Sequence, residues 1–304
     1  MGIIRRVLAK PGTTARRFKA IAIESRASRW VDRGQDFLNG GALKEALECS
    51  SKALSIYDDS NNAYHLMAEV LMPGDDYLVL LSRFHDLQPE SYVEIGVATG
   101  ETLALAKPDT KVVGIDPRPR IDRKIKSRAR LYPIPSDEFF ASYDLFTELG
   151  TSRVALVFID GLHHFEQVLK DFINIERYAD DGTVVLIHDC LPVARLIAAR
   201  NPATSLWCGD VWKAIPCLKR YRPDLNVGVI PTRPSGLGIV TGLDPKSTVL
   251  RDNLDSIISE YQDKRLDYEY LDLEDHQMSN MVPSVLPNDW PRIREMVSRR
   301  SACV

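Results

Sequence analysis

Two short stretches gather side chains that move protons or hold cations. VFIDGLHHFEQ (157–167) puts Asp160, His163 and His164 directly behind a run of β-branched and aromatic residues, and TVVLIHDC (183–190) ends a second run in His188-Asp189. Three of the chain's six histidines thus fall at two expected strand ends. A neutral imidazole near pH 7 suits removal of a proton from a hydroxyl. Carboxylates at strand ends suit a divalent cation, magnesium preferring oxygen ligands completed by water. Cys190 adjoins these residues, where a buried, inert thiol is the commoner outcome than a nucleophile.

A third stretch, YVEIGVATGET (92–102), has the form of a ligand-binding turn. A buried strand ends in Glu94-Ile95-Gly96, a turn of small residues follows, and a helix is expected from about Gly100-Glu101. Glycine and alanine let the backbone approach a ligand, and a helix N-terminus offers unpaired N–H groups. Sixteen residues past Gly100, the run Val112–Ile115 ends in Asp116, the usual place for an acid that binds ribose hydroxyls. A dinucleotide-binding G-x-G-x-x-G would need glycine at 101, which is Glu101, and Glu94 and Glu101 both disfavour a pyrophosphate. Glu94-x-Gly96-x-Ala98-x-Gly100 instead resembles the E/D-x-G-x-G-x-G loop of the class I S-adenosylmethionine-dependent methyltransferases, with alanine at the middle glycine. That cofactor has no phosphate and carries a sulfonium and an ammonium group, which suit an acidic strand end.

The resemblance extends over about residues 89–243. Ile115-Asp116-Pro117 is similar to the family's second motif, and Pro135-Ser136-Asp137 lies where members contact adenine. The D-G-x-H box at 160–163, Asp171 and the strand ending His188-Asp189 resemble the branch rich in small-molecule and sugar O-methyltransferases. The resemblance implies S-adenosylmethionine as cofactor, bound through Glu94, Gly96, Ala98, Gly100, Asp116, Ser136, Asp137 and Asp160. It implies His163 as general base with Asp160 beside it, and Asp160 and Asp189 as ligands of Mg2+ or another divalent cation. His188 and Cys190 depart from metal-using relatives, which often carry Glu before the second Asp or Asn after it. The implied acceptor is a hydroxyl on a small molecule or glycan, with nucleic acid not the main substrate. Two alternatives stand beside it: an NAD(P)-dependent oxidoreductase on a Rossmann-type sheet, and a non-catalytic interaction protein that uses its helical N-terminal region.

The elements that must position these residues alternate. Strand-like runs at Tyr92–Ile95, Val112–Ile115, Val154–Ile159 and Thr183–Ile187, with a weaker one at Arg130–Ile134, are separated by helix-compatible segments, so a parallel α/β sheet is expected. Leu225–Ile230 and Leu237–Thr241 are too close for a parallel crossover and should pair antiparallel. The family's sheet has seven strands in the order 3-2-1-4-5-7-6, the last antiparallel. Residues 1–88 read as a helical N-terminal region: a basic arm, then Asp32–Leu54 and Asn61–Leu71, similar to tetratricopeptide hairpins, with His65 on an apolar helix face. Residues 89–245 form the Rossmann-like methyltransferase domain, and 246–304 a C-terminal helix and tail. Trp207, Trp212 and Lys213 could line an acceptor pocket or pack a helix on the sheet.

Composition sets the outer limits. The 304 residues are 44% hydrophobic and 27% charged with a formal charge of −3, values of a globular chain. The longest apolar run, Val154–Ile159, is far short of the roughly 20 residues of a membrane-spanning helix. Five cysteines without a C-x-x-C pair point to free thiols in a reducing cytoplasm. Residues 1–33 carry nine Lys/Arg against two acids, a net +7 on an otherwise acidic chain. Such an arm suits an acidic partner or a solvated helix face, and the helical region offers a surface for a homo-oligomer. Met1-Gly2 lacks the Ser or Thr at position 6 that myristoylation requires.

Overall fold

The computed structural model describes residues 11–264 and 285–298. Two compact units divide the chain, one of residues up to 70 with 204–206, the other of the remainder. The first holds α1 (Pro11–Asn39), α2 (Leu43–Ile56) and α3 (Asn61–Leu71, its last residue in the second unit). Ala27, Ala53 and Ala63 meet at its centre, and small side chains let helix backbones approach. Gly34 shows how closely: a Cβ there would stand 2.4 Å from the Leu66 side chain and 2.9 Å from Cys49 Cβ. His65 is exposed, contrary to expectation, because Tyr64, Leu66 and Met67 take the buried positions around it. Of the basic arm expected over residues 1–33, residues 1–10 lie outside the described residues and the remainder lies on α1.

The second unit is built on a seven-stranded sheet in the order β3-β2-β1-β4-β5-β7-β6. Its strands are β1 (Ser91–Ile95), β2 (Lys111–Ile115), β3 (Arg128–Tyr132), β4 (Leu156–Ile159), β5 (Val184–His188), β6 (Asn226–Ile230) and β7 (Leu237–Thr241). The first five are parallel, and β7 pairs antiparallel with β5 and β6, as expected. Strands β1, β4, β5 and β7 are buried along their whole length, so both faces are covered. On one face α4 (Tyr77–Asp86) and α11 (Trp290–Ser298) pack over Tyr92, Phe158, Leu186 and Ile239, with Phe84 edge-on to Trp290. The other face carries α8 (Ala214–Tyr221), where Ile215 closes on Gly238. Beside it lies α7 (Phe165–Glu176), which packs against α5 (Ser136–Ser142), while α6 (Leu145–Leu149) lies against β2. The expected helix near 247–262 is interrupted at Asn253 into α9 (Val249–Asp252) and α10 (Leu254–Gln262). The tail returns at Val285, which bridges Val229. No described helix is long and apolar enough to cross a membrane.

One expected element is absent. Only a 3-10 turn, Leu103–Leu105, follows the glycine loop, and no α-helix starts at Gly100. Ten residues must carry the chain from Gly100 at one sheet edge to Lys111 at the other, and Pro108 cannot sit inside a helix. A 3-10 turn rises about 2.0 Å per residue against 1.5 Å for an α-helix, and so spans the gap with fewer residues. The loop therefore lacks the helix N-terminus inferred from the sequence.

Candidate active site

The carboxyl ends of β1, β2, β4 and β5 form one rim, the edge of an open α/β sheet where ligands sit. The glycine loop is knitted to its neighbours through the backbone: Gly96 N donates to Ile115 O (2.8 Å) and Asp160 N to Ile95 O (2.8 Å). Gly96 (φ +92°) and Gly100 (φ +80°) take left-handed backbone, as does Ala98 (φ +46°). A Cβ on Gly96 would lie 1.9 Å from the Asp160 carbonyl oxygen, so only glycine allows β1 and β4 to meet at this point. Asp116 Oδ2 accepts from Val97 N (3.0 Å) and Ala98 N (2.8 Å), and Oδ1 from Arg118 N (2.6 Å).

Glu94 is fully buried, its two oxygens accepting from the Tyr92 hydroxyl (2.6 Å) and the Thr102 hydroxyl (2.7 Å). Burial pushes its carboxyl up to about 8, against the pull of those two donors. Ser136 donates to Asp171 Oδ1 (2.6 Å), and the Gln167 amide donates to Ser136 (3.1 Å), Asp137 (3.0 Å) and Asp171 (3.1 Å). Ser136 and Asp137 thus tie α5 to α7 at one side of the rim.

Asp160, His163, His188 and Asp189 converge. His163 Nε2 stands 3.3 Å from Asp160 Oδ1, and its Nδ1 stands 3.2 Å from Asp189 Oδ2 and 2.8 Å from the Trp207 carbonyl oxygen. His188 Nδ1 lies 3.3 Å from both Asp160 Oδ1 and Asp189 Oδ1. Asp189 takes a left-handed conformation (φ +60°) that asparagine and aspartate tolerate better than other side chains, and the buried Ser235 hydroxyl donates to its Oδ1. Burial opposes charge on both histidines, but the neighbouring carboxylates outweigh it: His163 is raised to about 9 and His188 well above its ordinary value. The same histidines pull Asp160 and Asp189 below the usual carboxylate range, although burial alone would raise both. His164 stays at the edge, near Glu166.

Several partners had little signal in the sequence. Tyr77, at the start of α4, lays its ring 4.4 Å from that of His188. Trp207 stacks on His163 at 5.3 Å, whereas Trp212 and Lys213 are buried, Lys213 pairing with Asp210 at 3.0 Å. The buried Cys208 also bonds Asp189 and has its thiol pushed well up by burial. Burial likewise raises the Cys190 thiol, which bonds the Ile187 carbonyl at 3.4 Å and is no nucleophile. Ser235 was recoverable in principle: an antiparallel β7 begins beside the end of β5, so the turn before it must reach this rim.

Residues 93–190, about a third of the chain, match the family model described as a methyltransferase domain. With the seven-stranded sheet, that match defines the class of this part of the chain: residues 93–190 are a methyltransferase domain on a Rossmann-like sheet. Similar solved structures include cofactor-bound Rv0187 from MTB, 15% identical, covering 63% of this chain and 97% of its own, with a TM-score of 0.45. The O-methyltransferase from Bacillus cereus in complex with SAH is 12% identical over 64% of this chain and 96% of its own, at 0.44. SAH-bound PaMTH1, a methyltransferase of Podospora anserina, is 13% identical over 79% of this chain and all of its own, at 0.41. No curated protein matches the chain.

Proposed function

We propose that the chain methylates a hydroxyl of a small molecule or sugar, with His163 as general base. One observation carries this reading. The Trp207 carbonyl can only accept, so His163 Nδ1 at 2.8 Å carries a hydrogen, and Nε2 is the nitrogen left to take the acceptor's proton. Although burial opposes charge on the ring, the Asp160 and Asp189 carboxylates raise it to about 9, so Nε2 takes that proton only when the imidazole is deprotonated, and transfer should rise with pH towards about 9.

The rim suits the cofactor: two left-handed glycines let the loop lie directly against Asp160 and Ile121, and acidic groups stand where a sulfonium would come. S-adenosylmethionine, when bound, supplies the activated methyl carbon, so the chain's residues need only align and deprotonate the acceptor. Gly96, Ala98 and Gly100 form the methionine-side cradle. Asp116 spends three of its roughly four acceptor positions on the loop backbone and keeps one for a ribose hydroxyl. Glu94 braces the cradle through Thr102, and Ser136 and Asp137 flank the adenine. Asp160 and Asp189, joined by nearby imidazoles, suit a divalent cation, which when bound lowers the acceptor's pKa. Residues 89–245 carry the chemistry, while the helices of 1–88 serve contacts with a partner or a second copy. The cytoplasm fits the buried free thiols of Cys49, Cys190, Cys208 and Cys217.

Calorimetry on the full chain should show one S-adenosylhomocysteine bound per chain and no heat from NADH. Methyl-labelled S-adenosylmethionine, offered with phenols, catechols and free sugars, should label oxygen. His163→Gln should lower that rate by about a hundredfold or more while leaving S-adenosylhomocysteine affinity in place. NADH binding in place of S-adenosylhomocysteine, or undiminished transfer by His163→Gln, would reverse the reading.

A further inference from the structure

The connection from β2 to β3 carries a charge pattern that methyl transfer leaves unused. Residues 118–130, RPRIDRKIKSRAR, hold seven Lys/Arg against the single acid Asp122, a net +6 on a chain whose formal charge is −3. All seven are exposed and none lies on a helix. Pro117 and Pro119 fix their own backbone angle, and Pro119 disfavours helix at Arg118, so the segment runs extended into β3. Ile121, Ile125 and Ala129 turn inward onto the core, which leaves the cations pointing out. Arg120 N donates to Ala98 O (2.7 Å) and Asp122 N to Thr99 O (3.2 Å), so the segment is pinned to the glycine loop.

Two of the seven are neutralised locally. Arg123 pairs with Glu101 at 2.9 Å and Arg130 with Glu148 at 3.0 Å. Arg118, Arg120, Lys124, Lys126 and Arg128 form no ion pair among the described residues. Such a row of cations suits a surface that bears many phosphates. A nucleic acid would need more than charge. Single strands are held by aromatic platforms, and duplexes are read by a helix or β-ribbon that enters a groove. Residues 117–131 contain neither an aromatic side chain nor a helix. The next rings along the chain, Tyr132, Phe139 and Tyr143, pack on one another. A lipid surface asks only for cations and an apolar tip, and Leu131, 37% exposed at the end of the stripe, supplies the tip.

We propose that the 118–130 edge docks the protein on an anionic lipid bilayer, with Arg118, Arg120, Lys124, Lys126 and Arg128 contacting headgroup phosphates. The net charge of the chain opposes such docking, so the attraction is local and acts within the roughly 8 Å Debye length of physiological salt. The stripe adjoins the rim at Arg118, whose backbone N–H bonds Asp116, but its cations take no part in the proton transfer.

The test sediments the full chain with vesicles of phosphatidylcholine, either alone or with about 30 mol% phosphatidylglycerol. Only the anionic vesicles should carry the protein down, and raising the salt from about 0.05 M to about 0.5 M should release it. Each cation near the surface is worth about fivefold in affinity, so the combined variant Lys124→Gln, Lys126→Gln, Arg128→Gln should bind about a hundredfold more weakly. Its circular dichroism and urea midpoint should match the parent's, because all three residues are exposed. If that variant fails to fold, Lys126→Gln alone should lose about fivefold. Three vesicle results each overturn the proposal: binding to neither vesicle, equal binding to both, or a combined variant within about threefold of the parent. The last would assign the attraction to the basic arm of residues 1–33. A single-stranded RNA of about 20 nucleotides is the rival ligand. RNA held more tightly than the anionic vesicles, and released in the combined variant, would give the stripe to nucleic acid and overturn the proposal as well.

Discussion

His85 is a buried polar residue with no hydrogen-bond partner among the described residues, and its behaviour in acid follows from that isolation. The ring is fully buried on α4, edge-on to Tyr92 at 4.6 Å, and neither nitrogen has a partner among the described residues. Burial first, and the Lys107 ammonium second, lower it to about 4. Unfolded, it would titrate near its ordinary value of about 6.5. Between those values the unfolded chain binds the extra proton, so the stability from keeping His85 neutral is complete above about pH 6.5 and drains away as pH falls towards 4. At about 1.4 kcal/mol per unit, the full loss is about 3 kcal/mol. Urea titrations at pH 7 and pH 4.5 should therefore show a steeper acid loss in the parent than in His85→Phe, which keeps an aromatic ring against Tyr92. Parallel pH profiles for the two proteins would refute the assignment.

Among elements, the glycine loop owes its shape to close strand approach and not to a helix. Gly96→Ala must either separate β1 from β4 or push Asp160 away, since its Cβ would meet the Asp160 carbonyl at 1.9 Å. Gly150 is the matched control: it also has positive φ (+68°), yet an added Cβ meets nothing within 4 Å. Both variants incur about 1–2 kcal/mol of left-handed strain, but only Gly96→Ala should lose S-adenosylhomocysteine affinity, by tenfold at least in round terms. Equal affinity in the two variants would mean that the approach at Gly96 does not shape the cradle. The strands and their order were legible in the sequence because β-branched runs are a local signal, and a six-residue gap between the last two runs rules out a crossover. The missing helix after Gly100 was not legible: 101–107 is helix-compatible, and the distance to Lys111 that forbids the helix exists only in the folded sheet. In the site, Asp160, His163, His188 and Asp189 were visible as residues at strand ends. Tyr77 and the Trp207 carbonyl were not, because a backbone oxygen has no residue type and Tyr77 arrives from an element preceding the sheet.

For the molecule as a whole, the topology gathers the rim from segments far apart in sequence: the loop at 96–100, Asp116 to Arg118, Asp160 to His163, and His188-Asp189, all within the unit that starts at residue 71. A ligand held at that edge should therefore leave a discontinuous footprint. Binding stabilises only the state that binds, by about 2.7 kcal/mol at a hundredfold excess over Kd, and local openings at the contacting segments are suppressed most. Hydrogen exchange with and without S-adenosylhomocysteine should slow amides at 96–101, 116–122 and 160–164, including the Gly96 and Asp160 amides bonded across the strand tips. Helices α1 to α3 contribute none of these amides, and their exchange is expected to change little. If slowing were confined to those helices with the four rim segments unaltered, the sheet would be a scaffold for an interaction module, and the catalytic reading would give way to that alternative.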